Sequence, residues 1–355
     1  MSGSNRIGLI TTGGTIGSMS EERRSVAQRL VKLIGSQGEP VVLGGKKTSR
    51  VIYRESLEFI VRQPVNLLSE DMTPGDWTLI AREIEGLCRK EEVKGVLVLH
   101  GTDTMTYTAM AMTFMLTGVE VPIVFTGANL PPDEPDSDAD TNISDALVAL
   151  KKLPAGVFIS FAGKSDAISW VMESVSARKV RASGPAYRST NRGPVATVEK
   201  GKLKFRRNLE TIPRSPSRIE VSDRVLQLSL HPGIDLSAMI DVIDLRGIRG
   251  VVVSTYPAFT APSCPPSSSL PEFVAKCGEM DVAVALTVGN APVGRTNAYG
   301  STLHMIESDA LLLSTMPEVA LVKMMWATGC TREVDEVRSL MLEPIATEFG
   351  PKVPE

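Results

Sequence analysis

The sequence is poor in the residues that build metal sites, disulfide scaffolds and histidine-dependent active sites. Its 355 residues include only four cysteines and only three histidines. The cysteines are Cys88, Cys264, Cys277 and Cys330, and no two of them form a C-x-x-C pair. This spacing argues against a zinc site and a disulfide framework, and it fits a reducing compartment.

Long apolar runs and a strong net charge are also lacking. No window approaches the roughly 20 apolar residues of a membrane helix, and segment 1–14 turns to glycine and threonine too early for a signal peptide. The formal net charge of −3 gives no general reason to expect nucleic acid or an anionic membrane as a partner. We therefore expect a soluble, cytoplasmic protein.

What the sequence does have is an ordinary globular composition, with 43% hydrophobic and 22% charged residues, in a chain long enough for two domains. Short β-branched runs without in–out alternation are typical of strands buried on both faces of a parallel sheet. These runs are IGLITT, GVLVLHG, VPIVFTG, GVFISFAG, GVVVSTYP and VAVALTV. Helix-like segments separate them, for example the one that starts at Thr73-Pro74. The pattern predicts an α/β fold, with a larger N-terminal domain on a doubly wound, mainly parallel sheet and a smaller C-terminal α/β domain.

The alternation of strands and helices is interrupted between residues 178 and 224. This segment has 13 Lys and Arg residues against four acidic residues. We interpret much of it as a linker, with a hairpin around Lys200–Gly201. The alternative is a functional one, in which the segment is a binding surface for tRNA or an acidic peptide. We therefore place an N-terminal domain at 1–195, a basic linker and hairpin at 196–222 and a C-terminal domain at 223–355.

Two hydroxyl-rich turns follow predicted strands, at Thr11–Thr15 and at His100–Thr106. Ligands of open α/β sheets bind beyond the carboxyl ends of the strands, so both turns would border one crevice if their strands share a sheet. The polar side chains brought together would be Thr12, Thr15, Thr102, Asp103 and Thr104. Each turn alone is explained equally well by helix capping. A phosphate cradle is disfavoured, because neither G-x-G-x-x-G spacing nor a Walker lysine is present.

A threonine hydroxyl is a weak nucleophile and needs a base. His100 adjoins the second turn, but it ends an apolar strand and is more simply interpreted as a core histidine. A partly buried lysine paired with a carboxylate can serve instead, and Asp103 is the nearby carboxylate. Composition alone does not select the lysine.

The two turns resemble motifs of the bacterial-type L-asparaginase family of amidohydrolases. That family carries T-G-G-T-I near its N-terminus and H-G-T-D-T-M later, and both strings occur unbroken here, at 12–16 and 100–105. Further similar segments are SEDMTPGDW (69–77), PIVFTGA (122–128), SDADTN (137–142), HPGID (231–235) and MPEVALVKMMW (316–326). The last segment looks like the end of the type I, cytoplasmic branch, and like the asparaginase-like subunit of the archaeal Glu-tRNA(Gln) amidotransferase.

The resemblance implies catalytic roles for four residues. Thr12 corresponds to the proposed nucleophile on the first loop, Thr102 to the second essential threonine, and Asp103 to its neighbour. Lys179 is our choice for the family's catalytic lysine, because Gly184 follows it at the family's five-residue spacing.

The resemblance also implies how substrate would be held. Ser69 matches the residue that binds the substrate α-carboxylate, and Glu70 stands near the α-amino group. Backbone N–H groups of the turns at Gly13 and Gly101 would hold the oxyanion, and Thr15 would contact substrate.

The implied activity is hydrolysis of the side-chain amide of L-asparagine to L-aspartate and ammonia, with no metal and no organic cofactor. In relatives the C-terminal domain of a neighbouring subunit completes each site, so a homodimer or homotetramer is expected.

Two departures from the family pattern leave the identity of the substrate open. Residues 16–52 lack the usual loop tyrosine, and 255–266 lack the usual Gly- and Asn-rich turn. The alternatives are a deamidase acting on an Asn or Gln amide carried by a peptide, tRNA or biosynthetic intermediate, and a catalytically silent scaffold.

Overall fold

The chain forms two compact units, Met1–Ser217 and Arg218–Glu355. The computed structural model describes residues 6–14, 49–54, 57–132, 134–162, 168–180, 186–190, 192–210, 214–288 and 300–350.

The N-terminal unit is built around one large sheet. Its described strands are β1 (Arg6–Thr11), β2 (Ser49–Arg54), β3 (Leu57–Arg62), β4 (Val96–Leu99), β5 (Pro122–Thr126), β6 (Gly156–Ala162), β7 (Ile168–Glu173), β8 (Ala177–Lys179), β9 (Tyr187–Ser189), β10 (Ala196–Glu199) and β11 (Lys202–Phe205). Nine of them pair in the order β11-β10-β7-β6-β5-β4-β1-β3-β2, and β8 pairs with β9 separately. The five central strands from β6 to β3 are parallel, whereas the strands beyond them are antiparallel.

The predicted α/β fold class is confirmed. Four of the predicted apolar runs are β1, β4, β5 and β6. Successive residues Leu9 and Ile10 of β1 are both fully buried, as expected for a strand covered on both faces. Among the described residues of this unit the helices are α1 (Pro74–Lys90), α2 (Met105–Met115) and α3 (Ala139–Leu150).

Helix α1 begins where its sequence predicts. Pro74 occupies the first turn, and the Asp76 carboxylate accepts hydrogen bonds from the Thr73 backbone N–H at 2.8 Å and from the Thr73 hydroxyl at 2.6 Å. These contacts satisfy groups that a helix start leaves without intrahelical partners. The buried face includes Trp77, Ile80 and Ile84.

The predicted hairpin around Lys200–Gly201 is also confirmed, as the antiparallel pair β10–β11. Both turn residues have positive φ, of 49° and 69°, which suits a two-residue hairpin loop. The hairpin forms one edge of the large sheet, and the N-terminal unit continues to Ser217, whereas our sequence analysis placed 196–222 between domains. An edge strand with exposed lysines shows no continuous apolar pattern, which explains the difference.

The C-terminal unit has a second, smaller α/β core. Its strands β12 (Val225–Ser229), β13 (Gly250–Ser254), β14 (Ala283–Thr287) and β15 (Leu311–Leu313) form a parallel sheet in that order. Its helices are α4 (Ser237–Arg246), α5 (Leu270–Glu279), α6 (Gly300–Glu307), α7 (Pro317–Cys330) and α8 (Val334–Leu342). In the described parts of both units, none of the helices combines the length and hydrophobicity that crossing a membrane requires.

Candidate active site

The two hydroxyl-rich turns follow the carboxyl ends of two adjacent strands in the large sheet. Strand β1 pairs in parallel with β4, with Thr11 opposite Leu99, so Thr12 and the turn that begins at His100 both lie beyond the carboxyl ends of adjacent strands. This confirms the expectation that the two strands share one sheet. Thr15 and Gly184 lie outside the described residues.

The first turn can approach its neighbours only because it contains glycine. Gly13 and Gly14 have φ values of +97° and +72°, which side chains rarely adopt. A Cβ on Gly14 would lie 2.5 Å from the Gly101 Cα atom. The turn is fixed by the Leu67 backbone, which donates to the Thr12 carbonyl at 3.1 Å and accepts from the Gly14 N–H at 3.0 Å.

Ser69 connects a third segment of the chain to the second hydroxyl-rich turn through two hydrogen bonds. Its buried hydroxyl accepts a hydrogen bond from the Asp103 backbone N–H at 3.2 Å, and its carbonyl accepts one from the Thr104 hydroxyl at 2.5 Å. A Cβ on Gly101 would lie 2.6 Å from the Ser69 Cβ atom, so the Gly101 backbone is in close contact with the Ser69 side chain. The adjacent Glu70 is exposed, in a short 3-10 turn.

Lys179, the last residue of β8, joins the two polar side chains of the second turn. Its Nζ atom lies 2.8 Å from the Thr102 hydroxyl and 2.7 Å from an Asp103 carboxylate oxygen. The side chains of Lys179 and Asp103 are 32% and 62% exposed, so the group is accessible. A hydroxyl, an amine and a carboxylate in contact can pass a proton along this line.

Tyr187 is a residue of this group that our sequence analysis missed. It lies on β9 directly opposite Lys179, and its hydroxyl donates a hydrogen bond to the Thr102 carbonyl. Burial, reinforced by the nearby Asp103 charge, raises the pKa of this phenol, so it is neutral and acts as a donor. The contact joins a side chain to a backbone carbonyl far along the chain, and no sequence pattern marks such a contact.

The Thr12 hydroxyl has a hydrogen-bond partner within the sheet. We expected the turn to present this hydroxyl to substrate, but the side chain is buried and its hydroxyl donates to the Leu99 carbonyl at 3.2 Å. A threonine hydroxyl next to a strand end can donate a hydrogen bond to the last carbonyl of the neighbouring strand.

His100 is a core residue, as its place at a strand end indicated. Its Nδ1 lies 2.7 Å from the Gly101 carbonyl oxygen. Complete burial lowers its pKa to about 4, so the ring is neutral at pH 7. Its Nε2 has no hydrogen-bond partner within the described part of the chain.

Solved structures of known proteins share this fold. The thermostable L-asparaginase from Thermococcus kodakarensis superposes with a TM-score of 0.80 at 26% identity, covering 98% of this chain and 100% of that one. L-asparaginase I from Vibrio cholerae superposes with a TM-score of 0.77 at 22% identity, over 98% of this chain and 100% of its own.

Sequence relatives point to the same family. A subunit of the Glutamyl-tRNA(Gln) amidotransferase of Pyrococcus abyssi is 32% identical over 81% of this chain, and the match spans 66% of that relative's length, slightly under two thirds. The corresponding amidotransferase subunit of Metallosphaera sedula is 30% identical over 98% of this chain and 82% of its own length. The family model for the N-terminal part of asparaginases matches residues 6–211. The chain belongs to the asparaginase family.

Proposed function

We propose that the chain is an amidohydrolase that converts the side-chain amide of L-asparagine to L-aspartate and ammonia through a threonine ester. The observation that carries the proposal is the contact of Lys179 with both the Thr102 hydroxyl and the Asp103 carboxylate. A hydroxyl, an amine and a carboxylate in contact can carry the protons that acyl transfer to a threonine requires. The asparaginase family membership supports amide hydrolysis as the reaction class.

In the proposed reaction, the Thr12 hydroxyl rotates away from the Leu99 carbonyl and attacks the amide carbon. The new C–O bond gives a tetrahedral oxyanion, which backbone N–H groups at Gly13 and Gly101 would stabilise. The C–N bond then breaks, and the leaving nitrogen takes the proton that the Thr12 hydroxyl gave up. Ammonia departs, and the acyl group stays on the threonine oxygen as an ester. Water then attacks the ester carbon, the C–O bond to the threonine breaks, and one proton of the water passes to the threonine oxygen as L-aspartate leaves. Lys179 and Thr102 would carry this proton.

Thr102 is the second candidate for the nucleophile. Within the described residues it is the Thr102 hydroxyl, not that of Thr12, that contacts a basic side chain. The two assignments use the same groups and differ in which oxygen carries the acyl group.

Substrate would be oriented by the segment that begins at Ser69. We propose that the Ser69 hydroxyl binds the α-carboxylate, and that the Asp103 and Glu70 carboxylates receive the α-ammonium group. Both carboxylates are exposed at the sheet edge, which suits contact with an entering cation. The proposed chemistry needs neither a metal nor an organic cofactor.

A second candidate function is deamidation of an Asn or Gln amide that a larger molecule carries. Its support is the identity of 32% with a protein named as a subunit of a tRNA amidotransferase. The basic segment 178–224 is the surface that would receive such a carrier. Part of its charge is already neutralised, because Lys204 pairs with Glu199, Arg192 with Glu210 and Arg207 with Glu173.

Three further proposals concern location and assembly. We propose that the chain is cytoplasmic, that it assembles as a homodimer or homotetramer, and that each site is completed by a second copy. The four unpaired cysteines fit a reducing compartment. Light scattering after size-exclusion chromatography would determine the assembly.

The test of the proposed function is ammonia release from the purified full-length protein, with L-Asn, L-Gln, D-Asn and an Asn-containing peptide as substrates. We expect turnover of L-Asn that is lost in Thr12→Ala and in Thr102→Ala. Turnover of the peptide but not of free L-Asn would favour the second candidate. A folded wild-type protein that releases ammonia from none of these amides would contradict the first.

A further inference from the structure

We infer that Tyr187 is a positioning residue that holds the Thr102 peptide so that the Thr102 hydroxyl stays aligned with Lys179. The inference rests on the proposed function for its catalytic consequence, but not for its geometry. Tyr187 is fully buried, and its hydroxyl donates to the Thr102 carbonyl.

One two-stranded sheet brings both side chains to the same threonine. Lys179 on β8 and Tyr187 on β9 are direct partners in the antiparallel register, and the Val180 N–H continues the pairing to the Ala186 carbonyl at 2.8 Å. From adjacent strands, the lysine reaches the Thr102 hydroxyl and the tyrosine reaches the Thr102 carbonyl. Thr102 is therefore held at its main chain and at its side chain by residues of one two-stranded sheet.

The hydroxyl of Tyr187 does more than fill space in the core. The ring packs against Phe161 with centroids 4.9 Å apart and planes inclined by 59°, a contact that a phenylalanine would make equally well. What tyrosine adds is a donor to a carbonyl in the turn that also carries Asp103. Because this phenol is neutral, it supplies a fixed hydrogen bond and takes no part in proton transfer.

The first test is Tyr187→Phe, which keeps the ring and removes only the donor. We expect kcat for the best amide substrate to fall about fivefold, the factor for one ordinary hydrogen bond. We expect KM to change less than twofold, and the pH profile of kcat to shift because the Lys179–Thr102 contact loosens. The control is Phe161→Leu, which disturbs the same ring contact but keeps the hydroxyl. It should lower thermal stability and leave the pH profile unchanged.

A second readout does not depend on turnover. Trace acetylation with acetic anhydride across a pH series, followed by peptide mass spectrometry, reports the reactivity of individual lysines at each pH. We expect the labelling curve of Lys179 to shift in Tyr187→Phe and not in Phe161→Leu, with exposed Lys202 as the internal reference.

The two readouts separate the two claims. If wild-type protein releases no ammonia from any amide tested, the proposed function fails, and the labelling curve still decides the role of Tyr187. If the Lys179 curves of wild type and Tyr187→Phe coincide, Tyr187 is only a packing residue and the inference is overturned. A wild-type kcat and pH profile in Tyr187→Phe would overturn it equally.

Discussion

Each unit of the molecule contains a lysine–carboxylate pair with the same separation, and the two pairs have different surroundings. Lys179–Asp103 in the N-terminal unit and Lys323–Glu348 in the C-terminal unit both have N–O distances of 2.7 Å. The side chains of the first pair are 32% and 62% exposed, and those of the second are 1% and 0% exposed. Distance alone therefore does not indicate which of the two pairs could take part in catalysis.

The two pairs differ in the other groups that their side chains contact. Glu348 accepts hydrogen bonds from the backbone N–H groups of Ile345 at 3.0 Å and Ala346 at 2.8 Å. Lys323 also donates to the Glu343 carbonyl and lies 4.6 Å from the Phe349 ring centroid. Every one of these partners belongs to segment 343–349, so the buried pair fixes this segment onto α7.

The exposed pair has a side-chain hydroxyl as its third partner. Lys179 contacts the Thr102 hydroxyl at the sheet edge where ligands of α/β folds bind. A charged group that is accessible and bonded to a hydroxyl can exchange protons with a substrate, whereas one enclosed by backbone groups cannot. We therefore expect loss of the first pair to abolish activity and loss of the second to reduce stability.

The largest expected effect is that of Lys179→Met. Removal of a proton-transfer group should lower kcat for amide hydrolysis by about 10²–10⁴-fold. Because the pair is exposed, the free energy of unfolding should change by no more than about 1 kcal/mol. Ammonia-release kinetics and urea unfolding of the same preparation measure both quantities. A variant with wild-type kcat would show that the Lys179–Asp103 pair has no role in catalysis.

Lys323→Met should give the opposite result. It leaves the Glu348 carboxylate buried without its counter-charge, and breaking such a pair costs about 3–5 kcal/mol of unfolding free energy. The double variant Lys323→Met with Glu348→Gln removes both charges and should recover part of the loss. Urea unfolding of the three proteins measures this. A single variant as stable as wild type would show that the buried pair does not hold segment 343–349.

The close backbone approach at the site is tested by Gly14→Ala. The new methyl group would meet the Gly101 backbone in a left-handed conformation, which should cost roughly 2–4 kcal/mol from strain and overpacking together. The matched control is Gly201→Ala, at φ +69° with open space around it, which should cost only roughly 1–2 kcal/mol. Equal losses by urea unfolding would mean that strain alone accounts for Gly14.

The smallest expected effect is a pH dependence of stability due to His100. Its folded pKa of about 4 lies below the ordinary value of 6.5, so the unfolded chain binds a proton that the folded chain does not between these pH values. Stability is therefore lost as pH falls, by about 2 kcal/mol between pH 7 and pH 5. In His100→Asn this part of the pH dependence should be absent. Parallel pH profiles of unfolding for wild type and variant would show that His100 titrates normally.

Much of the fold followed from local sequence features. The runs that became β1, β4, β5, β6, β13 and β14 are apolar on both faces, and α1 carries its own start signal at Thr73-Pro74. The convergence of the two hydroxyl-rich turns followed from strand pairing, because parallel neighbours end at one edge. The membership of β10 and β11 in the large sheet did not follow, because the pairing of β10 with β7, which adds the hairpin to the sheet, is set by tertiary contacts.

The candidate site was predictable in part and for different reasons. Residues in the strand-end turns, such as Thr102 and Asp103, could be selected from the residues themselves. Lys179 could be selected only through family resemblance, since it reaches the site from β8, far along the chain. Neither the inward orientation of the Thr12 hydroxyl nor the Tyr187 contact was predictable, because side-chain rotation and backbone acceptors leave no trace in a sequence.

The central claim is that hydrolysis proceeds through an ester on a threonine of this sheet edge. The most direct test is rapid acid quenching of the protein during turnover of L-Asn, followed by mass spectrometry of its peptides, in wild type and Lys179→Met. The account predicts an aspartyl ester on Thr12. An ester on Thr102 instead would identify the hydroxyl that Lys179 contacts as the nucleophile. Ammonia release without an ester on either threonine would contradict the account.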